Sequence, residues 1–257
     1  MSHLVSGYEF HKLSKWSFCN RYPIRFNPTM IQENDIVFLN MCQFEEFIRT
    51  LKAHMKKFIL ITHNSDRTFT DKHASLIKPY VNAIYAINTN CTDTIVRTIP
   101  LGFSDHVNIS HSFFSNAAAA ALPKSILVYM NFTIKTNVAI RTACFNAFKH
   151  YPWVTKEEAV PAQEFHKQLA RSKYIISPEG GGIDCHRIYE SLYLDAIPLL
   201  KTSHMDAFYK KLPVIIVKSW GDITEQFLIE NYSKHKELLS AWKTKNVNWY
   251  KAEFWLP

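Results

Sequence analysis

The chain has no apolar run near the roughly 20 residues that a bilayer crossing requires, and its opening stretch, MSHLVSGYEFHKL, lacks the apolar centre of a signal peptide. A soluble, cytoplasmic protein without a membrane span is expected. The five cysteines, at 19, 42, 91, 144 and 185, are odd in number, scattered and never spaced as CxxC, so neither a disulfide framework nor a zinc site is indicated. Reduced thiols are expected. No GxGxxG or GxxxxGK[ST] string occurs, and no GxSxG, HExxH or cysteine-centred motif, which removes the common nucleotide loops and hydrolase sites. Twelve histidines are many, yet none pairs with another ligand at a convincing metal-binding spacing. Long basic runs are missing as well. Thirty Lys and Arg against 22 Asp and Glu give a net charge of +8, but the basic clusters are pairs such as Lys56–Lys57 and Lys210–Lys211. That pattern fits a solvated face and an anionic small substrate better than a nucleic-acid partner.

Glycine is scarce: six residues, three of them together at 180–182. They stand in the stretch that organises the chain, SPEGGGIDCHRIYESLYLDAIPLL, residues 177–200. Tyr174, Ile175 and Ile176 before it read as a buried strand. Gly180, Gly181 and Gly182 then offer backbone angles closed to other residues and N–H groups that a ligand can approach. Asp184 is expected to cap a helix in which Ile188, Tyr189, Leu192, Tyr193 and Leu194 recur at buried spacing, with Pro198 ending it. A helix N-terminus with Arg187 in its first turn describes a phosphate cradle. Glu190, three residues on, shares the face of Arg187, giving a cation for a diphosphate and a carboxylate for paired sugar hydroxyls. Taken alone, the same residues also fit a tight turn and a surface ion pair.

The whole string closely resembles the donor-binding segment of exostosin-like glycosyltransferases, in which related members read SPEGxGxDxHRxWEALxxGxIPI. Tyr189 stands where Trp is usual and Asp195 where Gly is usual. The resemblance extends over about residues 56–230: THNSD at 62–66, the strings around Tyr85–Asn88 and Ile99–Phe103, the pattern NFxxxTxxxxR carried by Asn131, Thr136 and Arg141, and LPVIIVKSWGDIT at 212–224. It implies an α/β, B-type glycosyltransferase fold, two Rossmann-like domains facing across a cleft, with a UDP-sugar held by the C-terminal one. The implied donor-binding residues are Gly180, Gly181, Gly182, Ile183, Asp184, His186, Arg187, Glu190, Asn131, Thr136 and Arg141. Capping by Thr136 or Asn137 and a surface Arg141 are the plainer alternatives for the last group. Known exostosins of animals and plants are membrane-anchored, so the absent span points to a viral or microbial relative, resembling the enzymes of large algal viruses.

In chain order, residues 1–34 are aromatic without periodicity and suit an extended covering segment or an acceptor-facing surface. IVFLN, FEEFIRTLKAHM and KKFILIT then read as strand, helix and strand, the start of a parallel α/β pattern. HSFFSNAAAAALPK breaks that pattern, and the expected boundary falls there, although its alanines also suit a helix of the first domain. The expected organisation is 1–122 as an acceptor-side domain, 123–230 as the donor domain and 231–257 as a helix crossing back. SILVYMNF supplies a strand, IKTNVAIRTACFNAFKHY a helix, EFHKQLARSKYIISP a helix and strand, and LPVIIV a last strand.

The chemistry follows. No DxD string exists to hold a metal on the diphosphate, so Arg187, the glycine N–H groups and the helix N-terminus are expected to stabilise the leaving group without one. No cofactor is called for beyond the UDP-sugar as donor substrate, and no metal ligands are assigned. An inverting displacement needs a base for the acceptor hydroxyl. Asp66, in the polar string after a strand, is the first choice and His63 the second; a turn or helix cap is the structural alternative for Asp66. The expected activity is sugar transfer from a UDP-sugar, with UDP-xylose as the first guess, to an oligosaccharide or glycoprotein hydroxyl. A non-catalytic nucleotide-sugar or glycan-binding protein is the alternative.

Overall fold

The computed structural model describes residues 4–23, 25–52, 55–104 and 111–256. They form two compact units, His3–Leu101 with Lys251–Pro257, and Gly102–Tyr250. Each has its own five-stranded parallel sheet.

The first unit runs through α1 (Gly7–Lys12), β1 (Trp16–Phe18), β2 (Ile36–Asn40), α2 (Phe44–Thr50), β3 (Phe58–His63), β4 (Phe69–Thr70), α3 (Asp71–Ile77), β5 (Val81–Ala86), β6 (Thr89–Asn90) and β7 (Val96–Thr98). Phe18, Val37, Leu39, Phe44, Phe47, Phe58 and Leu60 fill its core, as the strand-helix-strand pattern requires. The aromatic opening segment supplies the edge strand β1, fixed where Trp16 Nε1 donates to Asp35 at 2.7 Å. α2 stops at Thr50 instead of continuing to Met55, because the Thr50 hydroxyl turns back onto the Phe47 carbonyl at 2.7 Å and Leu51 is extended. The sheet order is β1-β2-β3-β5-β7, with β4 and β6 paired apart. That order never reverses. Strands laid down in one direction leave this sheet without a switch point of its own.

The second unit contains α4 (His111–Ala119), β8 (Ile126–Met130), α5 (Val138–Phe148), β9 (Val154–Lys156), α6 (Ala162–Arg171), β10 (Ser172–Ile176), α7 (His186–Tyr193), β11 (Ile197–Lys201), α8 (Asp206–Tyr209), β12 (Ile215–Val217) and α9 (Glu225–Lys245). Its sheet order, β12-β11-β10-β8-β9, does reverse. The chain leaves β8 for β9 on one side and returns to β10 on the other, so the loops after β8 and β10 open side by side.

The division of the chain differs from the sequence expectation at both ends. α4 packs on α6, and the Phe114 ring meets His166 and Phe103 at 4.3 and 5.1 Å between centres, so the alanine-rich segment joins the second sheet and the division falls at Leu101/Gly102. α9 likewise packs on β11, and Trp249 is buried against Phe103 and Trp242. Only Lys251–Pro257 groups with the first unit, where Ala252–Trp255 lies against α1. Pro198 does not end α7 either: it sits inside β11 opposite Ile175. The helix ends earlier, with Asp195 in the left-handed region at φ 58°, where Gly is the cheaper residue. Two lysines offset that substitution. Lys124 Nζ donates to the Leu194 carbonyl at 2.7 Å and Lys243 Nζ to the Tyr193 carbonyl at 3.1 Å, and Lys243 also pairs with the Asp195 carboxylate.

Candidate functional site

The loop after β10 and the loop after β8 are tied together by one buried cation. Arg141, on α5 and 6% exposed, donates Nε–H to the Glu179 carbonyl at 2.9 Å and NH1 to the Thr133 carbonyl at 2.8 Å. Asn137, the N-cap of α5, donates Nδ2–H to the Gly180 carbonyl at 2.9 Å. Arg141 is therefore neither a surface residue nor an open anion hook; it clamps the switch point. A Cβ at Gly180 would lie 2.9 Å from Arg141 NH2, so a side chain there would have to displace the clamped guanidinium. None of Gly180, Gly181 and Gly182 takes a positive φ, and the Gly180 N–H is committed to the Gly182 carbonyl at 2.9 Å. The backbone angles closed to other residues are thus not used at these three positions, and of their N–H groups that of Gly180 is engaged within the loop.

Arg187 stands in the first turn of α7. Its Nε and NH1 are sealed from solvent and have no hydrogen-bond partner among the described residues. Its guanidinium carbon lies 5.9 Å from the centre of the Phe132 ring, and that of Arg141 lies 5.7 Å from the same ring. Two cations thus flank one aromatic ring, and burial together with Arg141 pulls the Arg187 pKa down. An uncompensated buried guanidinium is costly unless an anion arrives to accept its N–H groups.

Glu190, one turn further along α7, is 5% exposed. Burial pushes its pKa up to about 7, opposed by Arg187 and by the N–H of Ser104. Behind it, on α6, lies His166, with Nε2 at 4.0 Å from Glu190 Oε2 and its own pKa pushed down to about 4 by burial. Sequence reasoning missed His166, although His166, Leu169 and Ala170 fall on one buried helix face.

The two groups act on stability with opposite sign. Against ordinary values of 4.5 and 6.5, folded Glu190 holds a proton that the unfolded chain has lost by pH 7, and folded His166 lacks one that the unfolded chain holds above pH 4. Glu190's contribution falls as pH rises from about 4.5 to 7, and that of His166 rises from about 4 to 6.5. Thermal scans across pH 4–6.5 check this. Glu190→Gln should make Tm rise more steeply with pH than in the natural protein and His166→Phe less steeply; three parallel slopes would contradict the buried pair.

Other expected donor contacts are placed differently. Asp184 is not a cap: its buried carboxylate accepts from the Cys185 N–H at 3.1 Å, the Tyr209 hydroxyl at 3.2 Å and the Tyr189 hydroxyl. Tyr189, in place of Trp, thereby gains a specific partner. His186 Nδ1 lies 2.7 Å from the Gly102 carbonyl and so serves the backbone. Asn131 turns to the Tyr129 hydroxyl at 3.1 Å, which itself donates to Glu157 at 2.7 Å. Ile183 offers its carbonyl to Tyr209, and Thr136 is exposed beside Gly180. Cys185 is buried and its thiol pKa is raised by that burial, which suits a wall residue.

Asp66 and His63 lie in the other unit. His63 is 1% exposed; its Nδ1 accepts the Asn64 N–H at 2.9 Å and its Nε2 lies 3.2 Å from the Pro100 carbonyl, so both ring nitrogens are engaged. Asp66 is exposed and has no hydrogen bond or ion pair among the described residues. The turn there is held by Ser65 Oγ, which accepts the Arg67 N–H at 3.1 Å, and α3 is capped by the Thr70–His73 box. Among the described residues no group of three or more His, Cys, Asp and Glu is arranged to hold a metal ion, and no helix is long and apolar enough to cross a membrane.

The fold resembles that of a UDP-forming alpha,alpha-trehalose-phosphate synthase from Burkholderia vietnamiensis, with a TM-score of 0.50 and 8% identity over 88% of this chain and 72% of that one. At that identity the likeness concerns the fold alone, an α/β architecture with two sheet-bearing regions. No curated protein sequence matches the chain significantly. The family described as RXYLT1 C-terminal domain matches residues 103–255, more than half of the chain and the whole of the candidate donor site. The chain belongs to the RXYLT1 C-terminal domain family.

Proposed function

We propose that the protein is a glycosyltransferase that moves a sugar from a UDP-sugar to a glycan hydroxyl by inverting displacement. The observation that carries this reading is Arg187: a sealed guanidinium with two unpartnered polar atoms, beside a second cation, at a helix N-terminus of the switch-point unit. A diphosphate supplies the missing acceptors and charge. Glu190, sharing the helix face, accepts the ribose hydroxyls when ionised. Arg141, Asn137 and Gly180 hold the loop in place behind these contacts. Asp66 is the proposed base, because it is an exposed carboxylate with no hydrogen bond or ion pair among the described residues. The exostosin-like and viral or microbial assignment rests on the sequence resemblance, and UDP-xylose is the first sugar to try.

A non-catalytic nucleotide-sugar binder is favoured by one observation, the engagement of both His63 nitrogens, which leaves Asp66 alone as base. Incubation with a panel of UDP-sugars and glycan acceptors separates the two. Release of UDP supports the enzyme; UDP binding with no donor consumed under any acceptor leaves only the binder. Because the proposed leaving-group stabilisation comes from side-chain cations, EDTA should leave the transfer rate within about twofold, whereas loss of a metal-assisted step costs several kcal/mol. A rate abolished by EDTA and restored by manganese or magnesium overturns that part of the mechanism.

A further inference from the structure

A cavity of about 320 Å³, whose lining includes neither Arg187 nor Glu190, lies between the first turns of α5 and the ends of β10 and β11. Its apolar wall is Ile140, Ala143 and the Trp220 indole, and its polar groups include Ser177, Glu179 and Lys201. Three features distinguish it from a packing gap. Ser177 is 4% exposed and its Oγ has no hydrogen-bond partner among the described residues, a position that normally costs free energy unless something fills it. The Glu179 carboxylate is half-buried and makes no hydrogen bond or ion pair among the described residues, although Lys201 and His204 act on it electrostatically. Lys201, likewise, is not committed to any carboxylate among the described residues.

We infer that this cavity binds an uncharged sugar ring. A carboxylate can accept two O–H bonds from neighbouring hydroxyls, Lys201 can donate to a third, and the Ser177 hydroxyl can do either. The C–H face of a ring suits the wall of Ile140, Ala143 and Trp220. Charge narrows the class further. Glu179 opposes a uronate or a phosphate, and Lys201 opposes an amino sugar. The volume is at the low end of small-ligand pockets, roughly 300–1,000 Å³, and takes one ring in preference to a whole nucleotide sugar. The ring is either the transferred sugar of a donor or a sugar bound separately, and the chemistry of the cavity is the same for both.

Saturation-transfer NMR tests this without requiring transfer activity. The probes are methyl glucoside, methyl glucuronide, UDP and UDP-glucose, with the natural protein, Ser177→Ala and Glu179→Ala. Methyl glucoside should bind in the presence of saturating UDP and methyl glucuronide should bind more weakly. Glu179→Ala should raise the glucoside Kd about tenfold or more, in line with loss of a charge-assisted hydrogen bond. Ser177→Ala removes one oxygen atom from a buried site, so it provides the same comparison if Glu179→Ala fails to fold. Displacement of the glucoside by UDP-glucose but not by UDP assigns the cavity to the donor's sugar; no displacement by either assigns it to a separate sugar. Glucuronide binding as well as glucoside overturns the proposal, as does a glucoside and UDP-glucose affinity that neither substitution changes. Loss of UDP binding in Arg187 variants is a different result and bears only on the donor reading.

Discussion

Arg187→Met is expected to lose about 2–4 kcal/mol of UDP affinity, the cost of removing one partner of a buried charge-assisted contact, or roughly thirty- to a thousandfold in Kd. Calorimetry with UDP measures it directly. The same substitution should leave the Tm of the unliganded protein unchanged or higher. Among the described residues Nε and NH1 are sealed without partners, and burial already disfavours the charged form. Methionine fills comparable space without that penalty, and Glu190, whose pKa is already about 7, can take up a proton once its cation is gone. A structural arginine behaves the other way: Arg141, with Nε and NH1 both donating to loop carbonyls, should lower the Tm when replaced by Met. Arg187→Lys keeps the charge but not the planar fork and should fall between Met and the natural residue in affinity. Unchanged UDP affinity in folded Arg187→Met removes the donor site proposed for this chain.

Much of the fold was legible because hydrophobic period is local information. IVFLN, KKFILIT, SILVYMNF and Tyr174–Ile176 all read as strands and carry β2, β3, β8 and β10, and of the two capping alternatives, Thr136 and Asn137, it is Asn137 that caps α5. LPVIIV was legible only in part: β12 covers Ile215–Val217, since Leu212, with Pro213 after it, still belongs to the turn leaving α8. Order of strands was less legible. Alternation of strand and helix predicts a parallel sheet in both units, but only the pairing of β8 with both β9 and β10 creates a reversal, and that is fixed by tertiary packing. At the site, the motif pointed to the loop and Arg187, while the surroundings of its neighbours depend on residues distant in sequence. Arg141 meets Glu179, Asp184 meets Tyr209 and Glu190 meets His166, and none of these separations carries a periodic signal. The glycines illustrate the same limit. Their clustering pointed to backbone freedom, whereas Gly180 leaves room for a guanidinium 39 residues away in the chain.

Asp66→Asn is expected to lower the transfer rate by about 10² to 10⁴, the range for loss of general-base catalysis, with the Tm and UDP affinity unchanged. The prediction is sharper than the sequence alone permitted, because the rival role of Asp66 was that of a turn or helix cap. Among the described residues that role is filled by others: Ser65 Oγ takes the Arg67 N–H, and Thr70 with His73 caps α3. An exposed Asp with no partner in its own unit contributes little to stability, so the substitution should not move the melting transition by more than the usual surface effect of about 0.5 kcal/mol. Asn keeps the shape and most of the polarity of the carboxylate but cannot take up a proton near neutral pH. A control at Ser65→Ala should give the reverse pattern, a lower Tm through loss of the turn with the rate largely kept. His63→Ala is a poor test of the base, because both imidazole nitrogens bond to backbone and their loss disturbs the end of β3. Near-normal turnover in Asp66→Asn, measured as UDP released from a UDP-sugar in the presence of acceptor, means that the acceptor proton leaves by another route and that Asp66 has no part in the chemistry.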